Sequence, residues 1–441
     1  HIVKGDGISW FRRYLGQDDT APISHPQVLS AHGSRILGHT LADKPGDTAA
    51  IVVPSVGCPM GCNFCSTSNL FGGKGKFINF YETGDELFAV MCELEEKLRT
   101  SSFFILDENF LLHRKRALRL LELQQQHGKS WSLYVFSSAR VLRSYNIDQL
   151  VGLGISWVWM GLEGKESRYR KLNGVDTKAL VKRLQTHGIR VLGSSIIGLE
   201  NHTSENIGQA IDYAVSHNTD FHQFMLYTAL PGTPLHKELR EKGLLLSEAE
   251  MPLADSHGQY RFNHRHPHLH GHMEEELVQE AFRRDFEKNG PSLFRLIKTT
   301  LQGWLRYCNH GDKRIVQRYA REVRPLRTTY AAAVWAMGKW YRGNPSMEAK
   351  LLVLTRQLYK AFGWKTRLIA PLIGRYVFFA MQRENKRLAQ GWAPEPSTFC
   401  DRKSAAQSGV SGRAVKAKGS GGKGLIEPAL LLADSRLPLK G

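Results

Sequence analysis

Between about Asp47 and Gly232 the sequence alternates short apolar runs with longer stretches of helical period, six times over. The apolar runs are Ala49–Pro54, Ser102–Leu106, Trp131–Phe136, Ile155–Met160, Ile189–Leu199 and Asp220–Leu226, with helical stretches such as Tyr81–Arg99, Lys115–Gln126 and Glu205–Ser216 between them. In the first of these helices Leu87, Val90, Met91, Leu94 and Leu98 share one face. A strand, a crossover helix and another strand give a parallel pair, so the expected fold class is α/β. In such sheets ligands gather at the carboxyl ends of the strands. The residues just after each run are therefore the candidate functional ones.

Directly after the first run stands Cys58-Pro59-Met60-Gly61-Cys62-Asn63-Phe64-Cys65, which holds three of the six cysteines. Thiolates this close can clip one soft metal centre. A closed zinc or cluster site wants four protein ligands, and no fourth cysteine lies nearby. Three ligands on a four-iron cluster leave one iron open to chemistry. The other reading is a zinc clip, completed by a distant His, in a basic scaffold that binds nucleic acid or lipid. Cys92, inside the first helix, reads as a small core or surface residue rather than a ligand.

The C-x3-C-x2-C spacing, with aromatic Phe64 just before the last cysteine, resembles the radical S-adenosylmethionine (radical SAM) enzymes. The resemblance implies that Cys58, Cys62 and Cys65 hold a [4Fe-4S] cluster. In the family the open iron chelates S-adenosyl-L-methionine, and an electron from the cluster breaks the sulfonium bond to give an adenosyl radical. It also implies a partial (βα)6 TIM-like barrel, open on one side. The ends of the strands then take roles by position. Asp107 and Glu108 stand where the family often has Gly-Gly-Glu at the amino group, with a helix-capping loop as the plainer reading. Ser137 and Arg140 stand at the methionine carboxylate, which a guanidinium can grip bidentately. Glu163 is the acidic residue of a Gly-x-Glu, and a carboxylate accepts from ribose hydroxyls or an ammonium. Ile197 and Gly198 fall in the segment that lines the adenine, and Pro231-Gly232-Thr233 is a turn common after the sixth strand.

The expected organisation is a remnant of a Rossmann-like, cobalamin-type domain with its linker over 1–43, the radical SAM barrel over 44–245, a histidine-rich loop with a helical C-terminal region over 246–400, and a low-complexity tail over 401–441. The front reads as the last strand, Gly-acidic-Gly turn and helix of a domain found in one branch of the family, although the Asp-x-His-x-x-Gly cobalamin signature is absent. Cobalamin is thus a candidate cofactor only for a longer protein. Between Arg261 and His272 five histidines stand at alternate positions, as a solvated loop, a metal site or a pocket lining. Repeated Gly, Ser and Lys over about 404–424 predict a disordered basic tail.

The net charge of +19 allows anionic lipid, nucleic acid or an acidic partner. Residues 271–400 hold 23 Lys plus Arg against 11 Asp plus Glu and five of the nine tryptophans; solvated basic faces packed on the barrel are the plainer reading, and peripheral membrane contact suits the pattern better than nucleic acid. Leu368–Met381 is interrupted by Arg375 and falls short of the roughly 20 residues a spanning helix needs. No leader pattern is read at the front, and a reducing cytoplasm is the expected setting, with the membrane surface as a peripheral contact. The resemblance implies a reductant such as flavodoxin or ferredoxin and a large or apolar small-molecule substrate. Methyl transfer to an unreactive carbon is the leading expectation and oxidative cyclisation of a porphyrin-like substrate the alternative. RNA methylthiotransferases normally add a C-terminal β-barrel where this chain reads as helices.

Overall fold

The computed structural model describes residues 7–18, 24–29, 35–36, 39–40, 48–71, 77–164, 172 and 174–391. The basic tail and the strand expected at the front lie outside the described residues.

Six parallel strands form one sheet: β1 (Ala50–Val52), β2 (Ser102–Ile105), β3 (Ser132–Phe136), β4 (Ile155–Gly161), β5 (Arg190–Ile197) and β6 (Phe221–Leu226). Each pairs with the next in sequence and β1 does not pair with β6, so the sheet is an open, partial barrel. The crossovers carry α1 (Gly84–Leu98), α2 (Arg114–Gln126), α3 (Ile147–Gly152), α4 (Thr177–Thr186) and α5 (Ile207–Val215), and α6 (Pro234–Glu241) follows β6. Helix α1 starts where it does because Thr83 and Glu86 form a capping box.

Register sets what lines the interior. Ile51, Phe104, Tyr134, Trp157 and Arg190 form one row across the strands, and Phe136, Trp159, Leu192 and Phe221 the next. These side chains alternate with fully buried ones such as Phe103, Val135, Val158 and Val191, which pack under the helices. The inner face is notably aromatic: Phe136 stacks on Trp159 at 5.0 Å and lies 5.7 Å from Phe104, while Trp157 lies 5.6 Å from Phe221.

The C-terminal region is helical, as the sequence predicts: α7 (Met273–Asn289), α8 (Ser292–Tyr307), α9 (Lys313–Glu322), α10 (Thr329–Trp340) and α11 (Pro345–Ala389), the last broken at Gly363, whose φ is 76° and ψ −164°. Two features tie this region to the barrel. Helix α9 caps the amino-terminal end of the strands, with Glu322 accepting from the Ser132 and Ser156 hydroxyls, each at 2.9 Å, and pairing with Arg190 at 3.1 Å. The histidine-rich segment runs along the β6 edge.

That segment is only in part a solvated loop: His268, His270 and His272 are exposed. Phe262, His264, His266 and Leu269 are all buried. The His266 Nδ1 accepts from the amides of His268 (3.1 Å) and Leu269 (3.0 Å), which leaves Nε2 to donate to the Leu199 carbonyl. Burial, with His266 beside it, holds His264 down to about 4, so this histidine is neutral at physiological pH.

Candidate active site

The cysteine loop leaves the sheet after β1 and a two-residue strand, Ser55–Val56, and reaches the opposite edge of the barrel. Asn63 does the joining: its Nδ2 donates to the Tyr227 hydroxyl at 3.0 Å, and its carbonyl accepts from the Leu235 amide at 3.1 Å. Phe64 meets Tyr227 edge-on at 5.9 Å and packs with Ile196, Leu199, Ala229 and Leu235. Asn69 closes the loop on itself, donating to the Cys62 carbonyl at 3.1 Å and the Cys65 carbonyl at 2.8 Å. The bond between the first and last strands that the open sheet lacks is thus replaced by this loop.

Cys58 is buried, while Cys62 and Cys65 are half-buried. Burial pushes the Cys58 thiol up, and the nearby Cys65 and Glu108 push it further, against the Met60 amide. Among the described residues no three Cys, His, Asp or Glu side chains, these thiols included, meet at one point at ligand distance. Three soft donors on one anchored loop nevertheless suit an iron–sulfur cluster or zinc and suit hard cations poorly.

The strand-end residues sort into anchored and available ones. Asp107 is buried in an ion pair with Arg116 at 2.5 Å and accepts from the Asn109 amide at 3.1 Å, so its carboxylate is taken up by the scaffold. Glu108 keeps solvent access and faces the cysteine loop. Crowding pushes its carboxyl up, the Asp107 charge adds to this, and the Thr67 hydroxyl draws it back. Ser137 is buried and donates to the Asn109 Oδ1 at 3.2 Å, which also accepts from the Ser138 amide at 3.0 Å. Asn109, which ties the end of β2 to the end of β3, is a positioning residue that the sequence reading passed over; its place two residues after Asp107 was the available signal. Arg140 is exposed and makes no hydrogen bond or ion pair within the described residues.

Glu163 follows β4 and is only 6% exposed, and it adopts a φ of 48°. The amides of Leu162 and Glu163 both reach the Ser194 carbonyl on β5, at 2.7 and 3.3 Å. A left-handed, buried glutamate at a strand end is a strained arrangement, which points to a site.

On β5 the structure corrects two expectations. Ile197 packs outward with Ile207 and Ile211 under α5, and it is Ile196 that joins Phe64 on the inner side. Gly198, at φ 78°, is required by Phe262: a Cβ there would lie 2.3 Å from the Phe262 ring. Its amide donates to the His202 Nδ1 at 3.1 Å. The histidine-rich segment, rather than open pocket, fills this side of the glycine.

Comparison with known proteins agrees with this geometry. Residues 52–214 match the profile described as the Radical SAM superfamily, and the chain therefore carries a radical SAM domain. It is 26% identical to the bacteriochlorophyllide d C-12(1)-methyltransferase of Chlorobaculum tepidum over 43% of this chain and 42% of that protein. It is 24% identical to the hopanoid C-2 methylase of Rhodopseudomonas palustris over 44% of this chain and 38% of that one. It is 28% identical to the anaerobic magnesium-protoporphyrin IX monomethyl ester cyclase of Rubrivivax gelatinosus over 42% of this chain and 34% of that one. The chain thus spans less than half the length of these relatives. Among solved structures, the radical S-adenosylmethionine methyltransferase TsrM from Kitasatospora setae, with cobalamin and a [4Fe-4S] cluster bound, aligns with a TM-score of 0.39 at 15% identity over 62% of this chain and 60% of that one.

Proposed function

We propose that this chain is a radical SAM enzyme that holds a [4Fe-4S] cluster on Cys58, Cys62 and Cys65, cleaves S-adenosylmethionine reductively and transfers a methyl group to an unreactive carbon of an apolar molecule. The observation that carries the reading is the cysteine loop itself: it stands at the carboxyl end of the first of six parallel strands and is stitched by Asn63 and Phe64 to the end of the sixth.

When bound, the cluster supplies the electron that opens the sulfonium. The protein's part is to bind and orient. Glu163 offers a buried carboxylate to ribose hydroxyls or the ammonium. Arg140 offers a guanidinium free to grip the methionine carboxylate. Glu108, its carboxyl pushed up, stands on the loop side where an amino group would be held. The aromatic rows inside the barrel suit a flat, apolar substrate, and stacked rings favour such partners. Cobalamin would belong to a longer protein, and a flavodoxin or ferredoxin would deliver the electron.

Oxidative cyclisation is the second reading, supported by the cyclase among the relatives. The test is anaerobic reconstitution with iron and sulfide, then reduction in the presence of S-adenosylmethionine. Deoxyadenosine together with S-adenosylhomocysteine supports methyl transfer, and deoxyadenosine alone favours the cyclase. Neither product, with one colourless zinc per chain, would replace the proposal with a zinc-clipped scaffold.

A further inference from the structure

The second half of α11 carries an apolar stripe that stays more than half exposed. Trp364, Leu368, Leu372, Tyr376 and Phe379 are each 52–68% exposed. Spacings of four, four, four and three residues keep them on one face for about 22 Å of helix at 1.5 Å per residue. Monomeric proteins seldom leave so many large side chains contiguous and open, and such patches mark interaction surfaces.

The helix cannot roll to hide them. Its other face is locked onto α10: Ala370, Ala380 and Met381 are buried, and at Gly374 a Cβ would stand 2.6 Å from the Trp335 ring and 3.0 Å from the Ala332 carbonyl. The break at Gly363 sets the start of the stripe, so that Trp364 opens a new helical direction.

Charge decides the occupant. Between Ala349 and Arg383 the helix carries Lys350, Arg356, Lys360, Lys365, Arg367, Arg375 and Arg383 and no acidic residue. Arg375 and Lys365 stand inside or beside the stripe, and Lys365 reaches over the Trp364 ring at 5.8 Å. A second copy of the chain would set this cationic row against itself. The chain's own segment 392–441 carries eight Lys plus Arg against four Asp plus Glu, and like charge opposes its docking too. An anionic bilayer surface satisfies both features: the stripe enters the boundary between headgroups and acyl chains, where Trp and Tyr sit well, and the cations meet lipid phosphates.

We infer that residues 364–379 of α11 form an interfacial helix that docks this protein flat on anionic membrane. No helix among the described residues is long and apolar enough to cross a membrane, so this contact is a surface one. The inference stands on the helix alone and does not depend on the chemistry proposed above.

The test uses the full chain with phosphatidylcholine vesicles, with and without about 30% phosphatidylglycerol, in flotation at about 0.1 M and about 0.5 M salt. The expected result is flotation with the anionic vesicles only, weakened at high salt. The double variant Leu368→Glu with Leu372→Glu should bind at least tenfold more weakly, and Lys365→Gln with Arg375→Gln should lose most of the salt dependence. Circular dichroism and analytical ultracentrifugation of each variant confirm that it folds and report its oligomeric state. Absence of flotation, or flotation that neither variant changes, overturns the inference. So does a wild-type dimer that the Leu368 and Leu372 variant dissociates, which would assign the stripe to a second copy.

Discussion

Glu163 carries the proposed site at the scale of one residue: it is buried after β4 at a φ of 48°. A non-glycine residue in the left-handed region costs roughly 1–2 kcal/mol. A residue needed only to turn the chain after β4 would be cheaper as glycine. Glu163→Gly is therefore expected to leave unfolding stability within about 1 kcal/mol of wild type, because relief of strain offsets the missing packing of the side chain. S-adenosylmethionine binding to the reconstituted protein, followed by equilibrium dialysis, should weaken at least tenfold. Undiminished affinity would remove Glu163 from the site. The three cysteines, Phe64 and Glu163 were open to nomination from the sequence because each belongs to a short local pattern. Asn109 was not, since its role lies in joining two strand ends that are 28 residues apart.

At the scale of elements, the order and number of the six strands were readable from periodicity, whereas the facing of β5 was not. Its run of apolar residues has no polar alternation to mark a face, and only packing tells Ile196 from Ile197. The histidine-rich segment misled for a related reason. Histidine reads as polar, yet His264 and His266 are buried together with Phe262 and Asn263, and Gly198 leaves room for the Phe262 ring. Gly198→Ala should cost more than about 2 kcal/mol, from a positive φ and a side chain driven into the Phe262 ring. The cost should be distinctly smaller in a Phe262→Ala background, although that change is itself destabilising. Urea unfolding of the four proteins measures the coupling. Strict additivity would mean that the ring does not constrain the glycine.

The whole molecule is held at its base by contacts that join residues more than 130 positions apart, which no local pattern could reveal. Helix α9 brings Glu322 and Arg318 to the amino-terminal ends of β3, β4 and β5, where Arg318 donates to the Ile155 carbonyl at 2.9 Å and Arg190 to Glu322 at 3.1 Å. Burial would push the Glu322 carboxyl up, but Arg190 and Arg318, with the Ser156 and Ser132 hydroxyls, hold it below its ordinary 4.5. A carboxyl depressed by folding contributes its full stability above the unfolded value and loses it as pH falls through the folded one. Glu322→Gln leaves two buried guanidiniums without their carboxylate and is expected to cost about 3–5 kcal/mol at pH 7. The gap between wild type and variant should then narrow as pH drops below about 4.5, because the wild-type carboxyl becomes protonated and loses the same charge. Urea-unfolding free energies measured from pH 7 to about pH 3 test this. A gap that stays constant over that range would show that the shape of the side chain, and not its charge, fixes α9 beneath the barrel.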